Sequence, residues 1–438
     1  MILLLFLIGT VTLAREYLPL NRTPKWKTNN PNYGPDFGQP EQIHLSLGEK
    51  TLVNYGLITD KKLSSIVEGK CSEFSEPSKE KNRIRYIHRA VLRGLTPGTT
   101  YQYRVGSEYG WSAVYRFTAL KPRTGGGYVI AVFGDLGNQN GRSLAKLQRM
   151  AQDGDIDLVL HVGDIAYNLD TDDGNVGDEF LRQIEPIAAY VPYMTAVGNH
   201  ESASNFSHYI NRFTMPDSEH NLFYSFDLGS AHFVFFSTEF YFYTEYGWKQ
   251  IQNQWNWLID DLMLFLIKDA EMSSYLKKAN KNRATVPWIL TFGHRPMYCS
   301  DFDGDDCTKY ESIIRTGLPR THAYGLEKLF YHHAVDIEIW AHEHTYERMW
   351  PVFNRTVYNG TVSPYFNPLA PVHIVSGSAD EIQDDLWIMK HPGHSYRKEH
   401  HRYPLRPLQA THVPLSYCHP KHCKELITPE DIKDILDF

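Results

Sequence analysis

Asp135, Asp164, Tyr167, Asn199, His294, His342 and His344 are the side chains whose types and spacing could hold metal ions. They sit in five short segments: Gly134-Asp135-Leu136-Gly137, Gly163-Asp164-Ile165-Ala166-Tyr167, Gly198-Asn199-His200-Glu201, Gly293-His294 and Ala341-His342-Glu343-His344. Taken singly, each is weak. An Asp after Gly is usually a turn residue, and His-x-His arises often by chance. Taken together, hard oxygen donors and imidazoles point to a two-metal site.

Each donor type has a chemical reason. A central carboxylate such as Asp164 can bridge two cations at the ~3.5–4 Å separation of two-metal hydrolases. Asp135 supplies another hard oxygen, and Asn199 a neutral one that leaves its metal more Lewis-acidic. Imidazoles suit iron or zinc. His342 and His344 are two apart, so in an extended run they point the same way. Tyr167 is the most diagnostic residue, because a phenolate favours Fe(III) over Fe(II). General metallophosphoesterases carry Asp-x-His in the first segment and no tyrosine in the second. Here the third residue of the first segment is Gly137, which cannot coordinate, so the slot passes to Tyr167.

Apolar runs of strand type lead into these segments. They are Tyr128 to Phe133, Leu158 to Val162, Tyr193 to Val197, Trp288 to Phe292 and Val335 to Trp340. A strand, a sharp turn and then a polar residue puts each ligand at a strand's carboxyl end, the rim where open α/β sheets bind ligands. Helical spacing predicts helices over 142–152, 178–190, 248–279 and 326–333, and 223–237 reads as a hairpin turning at Gly229-Ser230. Alternating strands and helices imply a mostly parallel or mixed sheet with helices on both faces. Upstream, residues 41–120 alternate at period two and read as an all-β unit, joined through the Gly-rich linker 121–127. After about residue 390 no periodicity remains.

In these motifs the chain resembles the purple acid phosphatases, in their long two-domain animal form. The resemblance runs from about residue 40 to 390. It implies an α/β metallophosphoesterase sandwich flanked by helices, behind an N-terminal fibronectin type III-like domain. Expected bounds are 1–14 for a signal peptide, 15–38 for an irregular segment, 39–121 for the β domain, 122–390 for the catalytic domain and 391–438 for a disordered tail. The resemblance further implies Fe(III) on Asp135, Tyr167 and His344, and a second divalent metal (Zn, Fe or Mn) on Asn199, His294 and His342, with Asp164 bridging. His200 would contact substrate or protonate the leaving alkoxide. The implied reaction is hydrolysis of phosphate monoesters by metal-bound hydroxide, at acidic optimum. A tyrosinate–Fe(III) band would lie at roughly 500–570 nm.

The chain also departs from that family. After Ile43 to Leu47 a Trp-bearing strand is missing, and further strands are missing between Ala379 and Asp380. Both gaps suggest a splice variant or an imperfect gene model. The loop after His294 carries Cys299 and acidic residues in place of substrate-contacting histidines, leaving the second proton donor unassigned. Competing readings are a phosphodiesterase or nucleotide pyrophosphatase on the same site, a catalytically impaired variant or non-catalytic binding module, and an iron pair generating reactive oxygen species.

Bulk properties narrow the partners. With 438 residues, 42% hydrophobic, the chain is globular. A net charge of -7 argues against nucleic acid held by counterion release. Apart from Met1 to Ala14, no run approaches the ~20 residues of a membrane span. That leader, and sequons at Asn21, Asn205, Asn354 and Asn359, predict a secreted or lysosomal glycoprotein acting on small phosphoesters. Cys299 and Cys307 are a candidate disulfide. Glu201 reads as a charge behind the site, the acidic stretches 170–179 and 301–306 as solvated loops, with metal-facing or rim roles as the alternative near an anionic substrate, and 240–246 as core or rim packing. The tail, with Cys418 and Cys423, reads as unrelated extension.

Overall fold

The computed structural model describes residues 2–3, 40–48, 66–75, 84–107, 110–123, 127–139, 141–218, 220–266, 286–300, 304–360 and 363–379. The linker's centre, both gaps in the family pattern, Asn21 and the tail lie outside them. Five parallel strands form where the apolar runs predict, at Ile130–Phe133, Leu158–Val162, Tyr193–Ala196, Trp288–Phe292 and Ile337–Trp340. They divide between two sheets. The first three pair in parallel in chain order. The other two sit inside a six-stranded mixed sheet with the Tyr224–Leu228/Ala231–Phe235 hairpin, Val372–Ser376 and Tyr346–Arg348. The sheets meet at an edge, where the Gly134 N–H donates to the Ser376 carbonyl at 2.8 Å.

One apolar core fills the catalytic domain. Burial on both faces explains the unbroken Leu-Val-Leu-His-Val run, since each of its five residues is buried. In the larger sheet the rings of Tyr224 and Phe235, and of Phe235 and Phe292, stack at 4.6 Å between centroids. Such cross-strand aromatic pairs fix the register of the hairpin against its neighbour. Helices Leu144–Asp153, Asn175–Ala188, Lys249–Leu266 and Leu326–His332 form near the predicted places, the 267–279 part of the third lying outside the described residues. Ala203–Arg212 adds a helix not anticipated from the sequence. No helix among the described residues is long and apolar enough to cross a membrane.

The N-terminal unit is built of short antiparallel pairs, including Lys70–Ser75 with Ile84–Arg89 and Thr100–Tyr103 with Tyr115–Thr118. Ile2–Leu3, within the stretch read as a leader, pairs with Ser46–Leu47 and Val91–Leu92. Cleavage after Ala14 would remove that strand. The unit is stitched to the catalytic domain rather than tethered. Leu45 donates to the Ala188 carbonyl at 2.7 Å and accepts from Tyr193 at 2.9 Å. Tyr103 donates to the Ala189 carbonyl at 2.7 Å, and Ala189 belongs to the small N-terminal core.

Asp178 corrects the reading of 170–179 as a solvated loop. It is 3% exposed and ion-paired with Arg85 of the β unit and Arg212, at 2.9 and 2.7 Å. A buried carboxylate survives only where cations neutralise it. Removing one partner of such a cluster strands the others, at about 3–5 kcal/mol. Asp178→Ala is therefore expected to lower stability by about that amount in denaturant titration; a change under about 1 kcal/mol would contradict the pairing's weight.

Candidate metal centre

The seven donors arrive from five strand ends and converge at the rim between the two sheets. The turns carrying them need unusual backbone. Gly163 has φ 82°, and an added Cβ would lie 2.4 Å from His294 Nδ1. At Gly198 an added Cβ would lie 2.2 Å from Asp164 Oδ1, so the glycine is needed for close approach. Four of the donors are themselves left-handed: Asp135 (φ 58°), Asp164 (48°), Tyr167 (53°) and His342 (70°). Each such residue costs about 1–3 kcal/mol and persists only where its surroundings over-determine it.

One cluster gathers Asp164, His294, Asn199 and His342. His294 Nε2 lies 3.3 Å from Asp164 Oδ2, 3.2 Å from Asn199 Oδ1 and 3.2 Å from His342 Nδ1. The tautomers follow from the far side of each ring. His294 Nδ1 faces the Val162 carbonyl at 2.9 Å, so it carries a hydrogen and Nε2 is left as an acceptor. His342 Nε2 faces Asp305 Oδ2 at 2.6 Å. Two acceptors cannot sit that close without a proton between them, so Nε2 is the donor and Nδ1 the acceptor. Asp164, Asn199, His294 and His342 thus turn acceptors toward one another. A cation satisfies that arrangement, and the N/O donor set fits a divalent transition metal. Without a metal, burial works against a charge on His294, but the carboxylates of Asp164, Asp135 and Glu239 outweigh it and push its pKa up to about 10. The cluster calls for positive charge.

A second cluster gathers Tyr167, His344 and Asp135. Tyr167 Oη is 2.7 Å from His344 Nε2 and 3.3 Å from Asp135 Oδ1. His344 Nε2 is 3.5 Å from Asp135 Oδ1. An added Cβ on Gly137 would lie 3.0 Å from Tyr167 Cδ2. The phenol ring therefore takes the space that a third-position side chain would need. Phenol, imidazole and carboxylate fit a hard ferric ion. All seven sequence-read donors are brought into these two groups.

His200 stands at the rim. Its Nδ1 lies 2.8 Å from Asn168 Oδ1, and its ring packs edge-on to Tyr167 at 4.6 Å. Nε2 is 3.8 Å from Asp164 Oδ2, with the side chain 35% exposed. Nδ1 is engaged with the protein, while Nε2 remains open to a molecule arriving from solvent.

Glu201, 2% exposed, supports the site from behind. It accepts the N–H groups of Asp164, Ile165 and Gly198, each at 2.9 Å. Burial and the Asp164 charge push its carboxyl up, while the Ile165 and Gly198 amides and the His294 charge pull it back. Glu201→Ala would orphan three buried donors at about 1–3 kcal/mol each. We expect a fall of at least about 3 kcal/mol in chemical unfolding, with loss of metal; unchanged stability would contradict this bracing.

In the 301–306 stretch, of which 301–303 lie outside the described residues, Asp305 and Asp306 depart from the solvated reading. Asp305 reaches His342. Asp306, 7% exposed, accepts Ser312 Oγ at 2.6 Å and the Ile313 N–H at 3.0 Å. The loop is closed by a Cys299–Cys307 disulfide, Cα–Cα 5.4 Å. Beside it, Arg295 pairs with buried Glu239 at 3.0 Å and lies 4.5 Å over the Phe242 ring. Phe240 and Tyr241 are buried, as core packing predicts. The sequence offered a rim or metal-facing role only for the acidic loop as a whole and did not single out Asp305, Arg295 or Glu239, because their partners lie tens of positions away. Asn354 and Asn359 are exposed, and Asn205 is half-buried with Oδ1 accepting from Gln250 at 2.9 Å. Cys71 is exposed and outside any disulfide.

Comparison with known proteins agrees with this architecture. Residues 128–346 match the calcineurin-like phosphoesterase family, and residues 25–119 match the purple acid phosphatase N-terminal domain. Acid phosphatase type 7 of Homo sapiens is 46% identical over 393 residues, covering 85% of this chain and 86% of that protein. The Danio rerio protein of the same name is 48% identical over 362 residues, 78% of each chain. The fold matches the purple acid phosphatase from yellow lupin seeds with a TM-score of 0.54 at 22% identity, over 76% of this chain but 62% of that one.

Proposed function

Because the chain belongs to the purple acid phosphatase family, we propose that it is a secreted acid phosphatase hydrolysing phosphate monoesters at a dinuclear Fe(III)–M(II) centre. The observation that supports this reading is the set of acceptors that Asp164, Asn199, His294 and His342 turn inward, with the Asp135, Tyr167 and His344 group as a second donor set. Asp135, Tyr167 and His344 would hold the ferric ion; Asn199, His294 and His342 would hold zinc, iron or manganese; Asp164 would belong to both. When bound, the ions supply Lewis acidity and lower the pKa of coordinated water.

The chain's own residues do the rest. Asp164 and Asp135 are fixed by backbone donors, His200 N–H and His342 N–H, both at 3.0 Å. That preorganisation lets the donor set face the substrate without rearranging. His200 holds a proton on Nδ1 against Asn168. Its Nε2 is aimed at the rim, where a proton carried there would be available to the leaving alkoxide. Two exposed sequons and the disulfide support export to an oxidising compartment.

The test combines a visible spectrum, metal analysis and paired substrates. The expected result is a coloured protein with two metal ions. Its activity on an aryl phosphate monoester should have an acidic optimum and exceed that on the matching diester. A colourless, iron-free protein after reconstitution would overturn the reading. A rate climbing steadily to pH 9 would overturn the proton-donor role.

A further inference from the structure

We propose that Asp305 is a positioning residue: it fixes the tautomer of His342 so that Nδ1 offers its lone pair to the second metal. The inference rests on the dinuclear reading above. His342 has two neighbours competing for Nε2. Asp305 Oδ2, acceptor only, is 2.6 Å away. Arg295 Nη1, donor only, is 3.0 Å away. These partners demand opposite tautomers. Were Arg295 to donate to Nε2, the ring proton would sit on Nδ1 and point at His294 Nε2, 3.2 Å away. A hydrogen would then occupy the place the metal needs. Both partners are charged, so both bonds would be charge-assisted, but Asp305 is the closer, and two acceptors at 2.6 Å require the proton between them. It also makes the ring more basic toward a metal.

The loop around Asp305 keeps it on target. The disulfide closes the loop eight residues apart in sequence. The Asp305 carbonyl accepts Thr308 Oγ1 at 2.8 Å. The next residue, Asp306, is anchored on the helix that begins at Ile313. Arg295 cannot swing away to relieve the conflict, because Glu239 and the Phe242 ring hold its guanidinium. An Asp at this position is therefore what sets the tautomer against a fixed cation.

The experiment compares wild type, Asp305→Ala and Asp305→Asn, each reconstituted with iron and zinc. Metal content, zinc affinity by chelator competition, the visible band and the thermal midpoint are recorded. In D305A, zinc affinity should fall roughly ten- to a hundredfold, while the tyrosinate band and midpoint stay near wild type. D305N keeps an acceptor oxygen and should recover part of the affinity. Unchanged zinc affinity in D305A would overturn the proposal. So would parallel loss of colour and midpoint, which would mark Asp305 as structural. A wild type lacking both metals would instead defeat the dinuclear reading itself.

Discussion

Asp164→Asn is expected to empty both metal positions and lower kcat/KM on a phosphate monoester by three or more orders of magnitude. On the proposed reading the side chain would serve both ions, so its loss would not be confined to one. Its Oδ2 faces His294 Nε2 at 3.3 Å, and its Oδ1 accepts the His200 N–H at 3.0 Å. Asparagine has the same shape, so the turn braced by Glu201 should still form. The change is electrical. A shared negative charge disappears, and an amide can present N–H groups to atoms that already need a cation. Three decades correspond to about 4 kcal/mol, within the several kcal/mol that a Lewis-acidic ion contributes to a charged transition state. Metal analysis and the monoester assay check this together with the melting midpoint. Retention of two ions, with activity within tenfold of wild type, would contradict the shared role.

The parts of this molecule that could be read from sequence are those whose signal is local. Leu158 to Val162 is apolar but for His161, ends at Gly163 and is followed by Asp164; strand, turn and ligand are written within seven residues. The same holds at Phe133-Gly134-Asp135 and Phe292-Gly293-His294. The Tyr224–Leu228/Ala231–Phe235 hairpin is legible because its turn is two residues, Gly229-Ser230. What the sequence hid depends on partners far along the chain. Asp178 looks like one more acid in an acidic loop until Arg85 and Arg212 converge on it. Asp305 likewise looks solvated until the rim brings His342 against it, 37 positions away. The division of the parallel strands into two sheets followed from the family resemblance and not from the strand–helix pattern, since the crossover from Tyr193–Ala196 to the larger sheet is a tertiary choice. The helix Ala203–Arg212 is a different case. Phe206, Tyr209 and Phe213 stand at helical spacing and are buried, so its signal was present.

Tyr167→Phe is the second large effect, expected in the spectrum before the rate. Phenylalanine keeps the ring, which packs edge-on to His200 at 4.6 Å and covers Gly137. It removes only the oxygen, the atom 2.7 Å from His344 Nε2 and 3.3 Å from Asp135 Oδ1. The fold should therefore survive with an unchanged melting midpoint. The visible band should vanish, because its donor orbital belongs to the phenolate. Ferric iron should bind more weakly as well, since a neutral hydrocarbon replaces a hard anion. A loss of about one hundredfold in kcat would correspond to about 2.7 kcal/mol of transition-state stabilisation, with the zinc position loaded as before. That asymmetry separates the two donor groups: Tyr167→Phe should bleach the protein and spare the second metal, whereas Asp164→Asn should strip both. A Tyr167→Phe protein that kept its colour would show that another group carries the charge transfer, and the assignment of the ferric site to Asp135, Tyr167 and His344 would then be wrong.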